Sequence, residues 1–208
     1  MDSLGFDEDG DQRDVELTAL AAIFPELQFD KRDRYSFFYD VPVNPSKDVT
    51  VSFPSAAESV APDPTRPHGD ALQAPTDSHS LSYLPSVRLQ ITLPAGYPEE
   101  TAPSVAVSTS PPWLPDSTLA TLEADGPRLW EDVGRDMVVF TYIDHVVQAA
   151  DEVFSLVDDK GGLEVDSGHK IAILDYDIQA KRAAFDKGSY ECGICLGKGH
   201  RLRDGYRR

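Results

Sequence analysis

Apolar positions along the chain change their spacing several times, and each change marks an element. Leu17, Leu20, Ala21 and Phe24 recur at i, i+3, i+4 and i+7, with Ile23 widening the stripe. That spacing lays them on one face of a helix. Pro25 stops it, because its ring clashes with the preceding turn, so the helix spans about 11–24. Residues 35–43 (YSFFYDVPV) are aromatic and apolar, with β character. Residues 48–53 (DVTVSF) alternate, with Val49, Val51 and Phe53 on one face. Residues 83–93 alternate more strongly: Val87, Leu89, Ile91 and Leu93 against Ser86, Arg88, Gln90 and Thr92, a strand with one buried face. Residues 104–109 (SVAVST) make a further short strand. Over 54–80, Pro54, Pro62, Pro64, Pro67 and Pro75 interrupt a run of Ser, Asp, Thr and Ala with no apolar period, which predicts a flexible insertion.

Beyond Pro115 the pattern turns helical. Asp116 or Ser117 can cap, and Leu119 and Leu122 open an apolar face. Gly126 and Pro127 are expected to interrupt it before Leu129, Trp130 and Val133 continue. Val139, Ile143, Val146, Ala150, Val153 and Val157 recur at steps of four and three, an amphipathic helix over 138–157 closed by Gly161 and Gly162. Residues 158–189 read as a linker containing a last helix over 170–185. Clustered strands with segregated helices predict an α+β fold: an antiparallel β-meander with helices packed on one face, followed by a C-terminal linker helix.

Composition narrows the partners. The 208-residue chain is 40% hydrophobic and 26% charged, which allows one packed domain with polar tails. Its net charge of −17 opposes binding to phosphate backbones and anionic lipid, so neither nucleic acid nor a membrane is expected as a partner. No apolar run approaches the ~20 residues of a membrane span. Residues 1–10 (MDSLGFDEDG) are acidic where a signal peptide would be basic and then apolar. They read as a disordered tail, with a cytoplasmic or nuclear location. Residues 181–208 carry eight Lys and Arg, a basic end read as solvated.

Tyr97-Pro98-Glu99-Glu100-Thr101-Ala102-Pro103 is a proline-punctuated turn after the strongest strand. Each proline fixes its own φ and biases its predecessor to extended geometry, while a tyrosine ring there can pack and its hydroxyl bond to backbone. With a helix before the first strand and two helices after the last, this YPxxxxP arrangement resembles the RWD domain, which is related to ubiquitin-conjugating enzymes. Glu16-Leu17-x-Ala19-Leu20-x-x-Ile23-Phe24 resembles the family's opening helix, and Met137-Val138-Val139-Phe140-x-Tyr142-Ile143 the start of its last. The resemblance covers about 11–157 and implies a binding module. Ubiquitin-conjugating enzymes act through a cysteine, and none precedes Cys192 here, so no catalytic residue is expected in the domain. His68 and His79 lie in the insertion, His145 is expected to pack or face water, and Trp113 and Trp130 are expected to be core residues rather than sites.

The only cysteines, Cys192 and Cys195, form a CxxC pair. Two thiolates at this spacing make half of a tetrahedral zinc set. Leu174-Asp175-Tyr176-Asp177-x-x-Ala180-Lys181-x-x-Ala184-Phe185-Asp186-x-x-x-Tyr190-x-Cys192-Gly193-Ile194-Cys195-Leu196 resembles the linker helix and first RING of RING-between-RING ubiquitin ligases of the fungal translation-termination-inhibitor type. That resemblance implies that Cys192 and Cys195 are the first two zinc ligands, with residues 190–208 a truncated start of the first RING. His200 matches no RING spacing, and two donors hold zinc weakly, so stable zinc and ubiquitin transfer are not expected of this chain alone. The implied partners are proteins: a substrate, a regulator or a ribosome-associated protein, with a ubiquitin-conjugating enzyme only where the RINGs are present. The alternative is a stand-alone, non-catalytic RWD adaptor.

Overall fold

A computed structural model describes residues 10–54, 76–156 and 162–187. Chain order is α1 (Gln12–Ile23), β1 (Gln28–Phe29), β2 (Ser36–Val43), β3 (Val49–Pro54), β4 (Thr76–Leu81), β5 (Leu84–Thr92), β6 (Ser104–Thr109), α2 (Asp116–Asp132), α3 (Val139–Leu156), β7 (Gly162–Glu164), a 3-10 turn (Ser167–His169) and α4 (Lys170–Lys187). The fold is α+β. Four strands form an antiparallel sheet in the order β1-β2-β5-β6, with Tyr39 opposite Leu89 and Leu89 opposite Val107. The β3–β4 hairpin, inserted between β2 and β5, forms a second sheet in which β7 pairs parallel to β3.

The alternation read in the strands is the alternation of burial. Phe37, Val41, Leu89 and Ile91 are wholly buried, whereas Arg88 and Gln90 between them are exposed. Each such side chain contributes about 1.5–3 kcal/mol by leaving water. Val139, Tyr142, Ile143, Val146 and Ala150 form the buried face of α3. In α1 only Leu17 and Leu20 among the stripe residues are core; Ile23 is 53% exposed, so it does not widen the buried face. Asp11 caps α1, its carboxylate accepting the Arg13 amide at 3.0 Å.

Three expectations are corrected. Within the expected insertion over 54–80, residues 76–81 are strand β4, in register with β3 from Val49↔Leu81 to Pro54↔Thr76. Its TDSHSL sequence shows no apolar period because β4 is the edge of a sheet ordered β4-β3-β7, held by backbone bonds on one side. His79 therefore sits on a strand, its ring 6.0 Å from that of Phe53; His68 lies outside the described residues. Gly126 and Pro127 do not interrupt α2, which runs unbroken to Asp132. Pro127 is exposed, so the backbone bond it forfeits lies on the water side. Gly126 is buried against β6: a Cβ there would lie 2.8 Å from Val105 Cγ2. Finally, the expected linker contains β7 and the 3-10 turn, and buries Leu163 and Val165 at 1% and 4% exposure. Three residues are too short a strand for any period to show.

Candidate interaction surface

The tyrosine–proline turn is a buried corner. Gly96 adopts φ +86°, in the left-handed region that a side chain disfavours, and its carbonyl accepts the Glu100 amide at 2.7 Å. This closes the turn and directs Tyr97 inward, where it is 5% exposed; Pro98 and Pro103 are buried beside it. The Tyr97–Pro98 bond is cis. The Tyr97 hydroxyl accepts the Val138 amide at 2.8 Å, and Glu16 Oε1 accepts the Val139 amide at 2.8 Å. Two backbone donors at the start of α3 are thus satisfied from α1 and from the turn. Trp130 Nε1 donates to the Pro98 carbonyl at 2.7 Å. One corner therefore ties α1, the β5–β6 connection, the end of α2 and the start of α3.

Its electrostatics follow from burial. Desolvation pushes the Glu16 carboxyl above the usual range, against the opposing pull of the Tyr97 hydroxyl and the Val139 amide. The hydroxyl lies against that carboxyl and favours its charged form, although Glu16 Oε2 has no well-aligned partner. Burial, then the Glu16 charge, raises Tyr97 well above the phenol range. Such a node holds a fold together.

The tryptophans are core residues, as expected. Trp113 is 3% exposed with Nε1 donating to the Pro85 carbonyl at 3.1 Å, and Trp130 is 5% exposed. His145 is half-buried, 2.9 Å from Asp125 Oδ2. Cys192 and Cys195 lie outside the described residues. Among the described residues no group of three or more His, Cys, Asp and Glu is arranged to hold a metal, and no helix is long and apolar enough to cross a membrane.

The aromatic surface lies elsewhere. Phe24, just past α1, packs its ring 5.1 Å from Tyr39 of β2 and 6.0 Å from Phe140 of α3. Phe140 is 49% exposed, and Ile23 and Met137 are similarly open. Burial first, then the charge of the exposed Glu26, raises the Tyr39 hydroxyl above its usual value. The sequence reading used Ile23, Phe24 and Phe140 only as marks of helices. The missed signal was periodicity itself, since Phe140 falls off the 139/143/146/150 face.

Comparison with known proteins places this architecture. The protein-family model for the RWD domain matches residues 11–150. The E3 ubiquitin-protein ligase itt1 of Schizosaccharomyces pombe is 28% identical over 184 residues, covering 87% of this chain and 37% of that protein. The E3 ubiquitin-protein ligase RNF14 of Danio rerio is 26% identical over 153 residues, 56% of this chain and 33% of that protein. The chain spans about a third of the length of these curated relatives. No solved structure matches.

Proposed function

We propose, from the premise that this chain belongs to the RWD domain family, that it is the N-terminal protein-interaction part of a RING-between-RING E3 ubiquitin ligase. The domain holds a protein partner (substrate, regulator or ribosome-associated), and ubiquitin transfer belongs to zinc modules outside it. One observation carries this reading. The domain match ends at residue 150, yet similarity to the S. pombe ligase extends over 87% of the chain. The shared sequence therefore runs past the binding domain into the segment that resembles the ligase linker helix.

In this reading Cys192 and Cys195 supply two of the four ligands of a structural zinc. Two thiols and His200 fall short of a tetrahedral set, so the remaining donors come from other segments. A ubiquitin-conjugating enzyme is a partner only of the RINGs, and the protein acts in the cytoplasm or nucleus.

The test is a chimera. Residues 1–208 replace the matching region of the S. pombe ligase, and ubiquitination of its cellular targets is compared with that of an N-terminal deletion. The chimera is expected to recover targets that the deletion loses. A chimera no better than the deletion would favour the stand-alone adaptor. Purified chain incubated with activating enzyme, conjugating enzyme, ubiquitin and ATP is expected to form no reducible ubiquitin adduct; an adduct on Cys192 or Cys195 would refute a purely structural role for the pair.

A further inference from the structure

We infer that the surface formed by Ile23, Phe24, Tyr39 and Phe140 docks a basic amphipathic helix of a partner protein. The inference rests on the reading of this domain as a protein-interaction module and names where and what it binds. The Phe24 ring, at the end of α1, bridges Tyr39 of β2 and Phe140 of α3, which makes one connected apolar surface with Phe140 half open to water. Aromatic clusters of this kind supply the anchors of protein interfaces.

Charge selects the occupant. Around the rings, exposed Glu26 lies two residues after Phe24, and α3 from Val139 to Leu156 carries Asp144, Asp151 and Glu152 with no Lys or Arg. Asp144 stands one turn beyond Phe140 on α3, and Glu26 is felt at the Tyr39 hydroxyl. An apolar centre with an acidic rim complements a helix with an apolar stripe and Lys or Arg on its flanks. It repels an acidic one, including a second copy of this chain with its net charge of −17.

The experiment uses the full 208-residue chain and two synthetic 18-residue helical peptides with the same Leu and Ile stripe, flanked in one by Lys and Arg and in the other by Glu. Fluorescence anisotropy reads affinity, and amide NMR shifts read location. The basic peptide is expected to bind about tenfold or more tightly than the acidic one, to weaken several-fold between low and high salt, and to shift amides around Phe24 and Phe140. Phe140→Ala is expected to weaken it about tenfold, as loss of an interface anchor does. Glu26→Lys with Asp144→Lys is expected to reverse the preference, and this second variant leaves the rings in place. Absence of binding, equal binding of both peptides, shifts centred on another face, indifference to Phe140→Ala, or a dimer of the chain built on this patch would each overturn the inference. A chimera that works while the basic peptide fails would sink this inference alone; the opposite pair of results would sink only the ligase reading.

Discussion

Tyr97→Phe removes one oxygen from the middle of the molecule and leaves the ring. Tyr97 is 5% exposed and Val138 wholly buried, so water cannot replace the hydroxyl that accepts the Val138 amide at 2.8 Å. A buried amide stripped of its acceptor costs about 1–3 kcal/mol. The Glu16 carboxyl also loses the hydroxyl beside it while its Oε2 already lacks a well-aligned partner, which sets the expected loss in the upper half, about 2–3 kcal/mol. At about 2–4 °C per kcal/mol for a chain of this size, Tm should fall by about 4–12 °C. Tyr35→Phe is the control. Its hydroxyl donates to Asp11 Oδ2 at 2.8 Å near the surface, and Asp11 keeps Arg13 at 2.6 Å, so the loss should stay below about 1 kcal/mol. Urea unfolding followed by tryptophan emission suits both, because Trp130 is bonded to the same corner. Equal losses for the two variants, within about 0.5 kcal/mol at unchanged m-value, would show that the corner does not organise the fold as described.

Gly126→Ala should destabilise by about 1–3 kcal/mol, although alanine is the better helix former, because its Cβ would meet Val105 Cγ2 at 2.8 Å; adding Val105→Ala should recover part of the loss in thermal melts. Glu16→Gln should change how stability varies with pH. The folded Glu16 carboxyl is raised above 4.5, so its contribution is present below that value and fades as pH rises through the folded one. Relative to wild type, the glutamine variant should therefore gain stability as pH rises above 4.5, and a flat or falling difference in urea titrations would contradict the assignment. Asp177→Ala should strip the acceptor from the Ser82 and Tyr83 amides, both at 3.0 Å, and cost about 1–3 kcal/mol. Hydrogen exchange should then rise in α4 ahead of α1, and uniform acceleration would count against a local anchor.

What the sequence disclosed and what it hid divide along physical lines. The strands over 83–93 and 104–109, the helix over 138–157 and the tyrosine–proline turn were legible because each buries one face against the core or fixes φ with proline. β4 and β7 were not. Their places rest on backbone pairing to β3, and backbone bonds leave no mark on residue type. Glu16 was equally hidden: a glutamate in an amphipathic helix is expected in water, and only the position of the α3 amides makes its burial at 5% exposure useful. Phe140 stood in plain view as the residue beside the buried face. Trp113 and Trp130, expected in the core, lie there, and their indole N–H groups both bond to buried proline carbonyls.

The segment beyond the family match is bound into the same folded unit by three unlike contacts. β7 adds a strand to β3, with Val51 opposite Leu163. Ile173 is wholly buried from the first turn of α4. Asp177, 5% exposed, gives one oxygen to the Ser82 and Tyr83 amides at the β4–β5 turn and the other to Lys181 at 2.7 Å. Backbone pairing, apolar burial and a charge-assisted clasp respond differently to salt and pH, so a change in salt or pH that weakens the clasp leaves the other two in place. A helix fixed in this way transmits the orientation of the domain along its length toward Lys187.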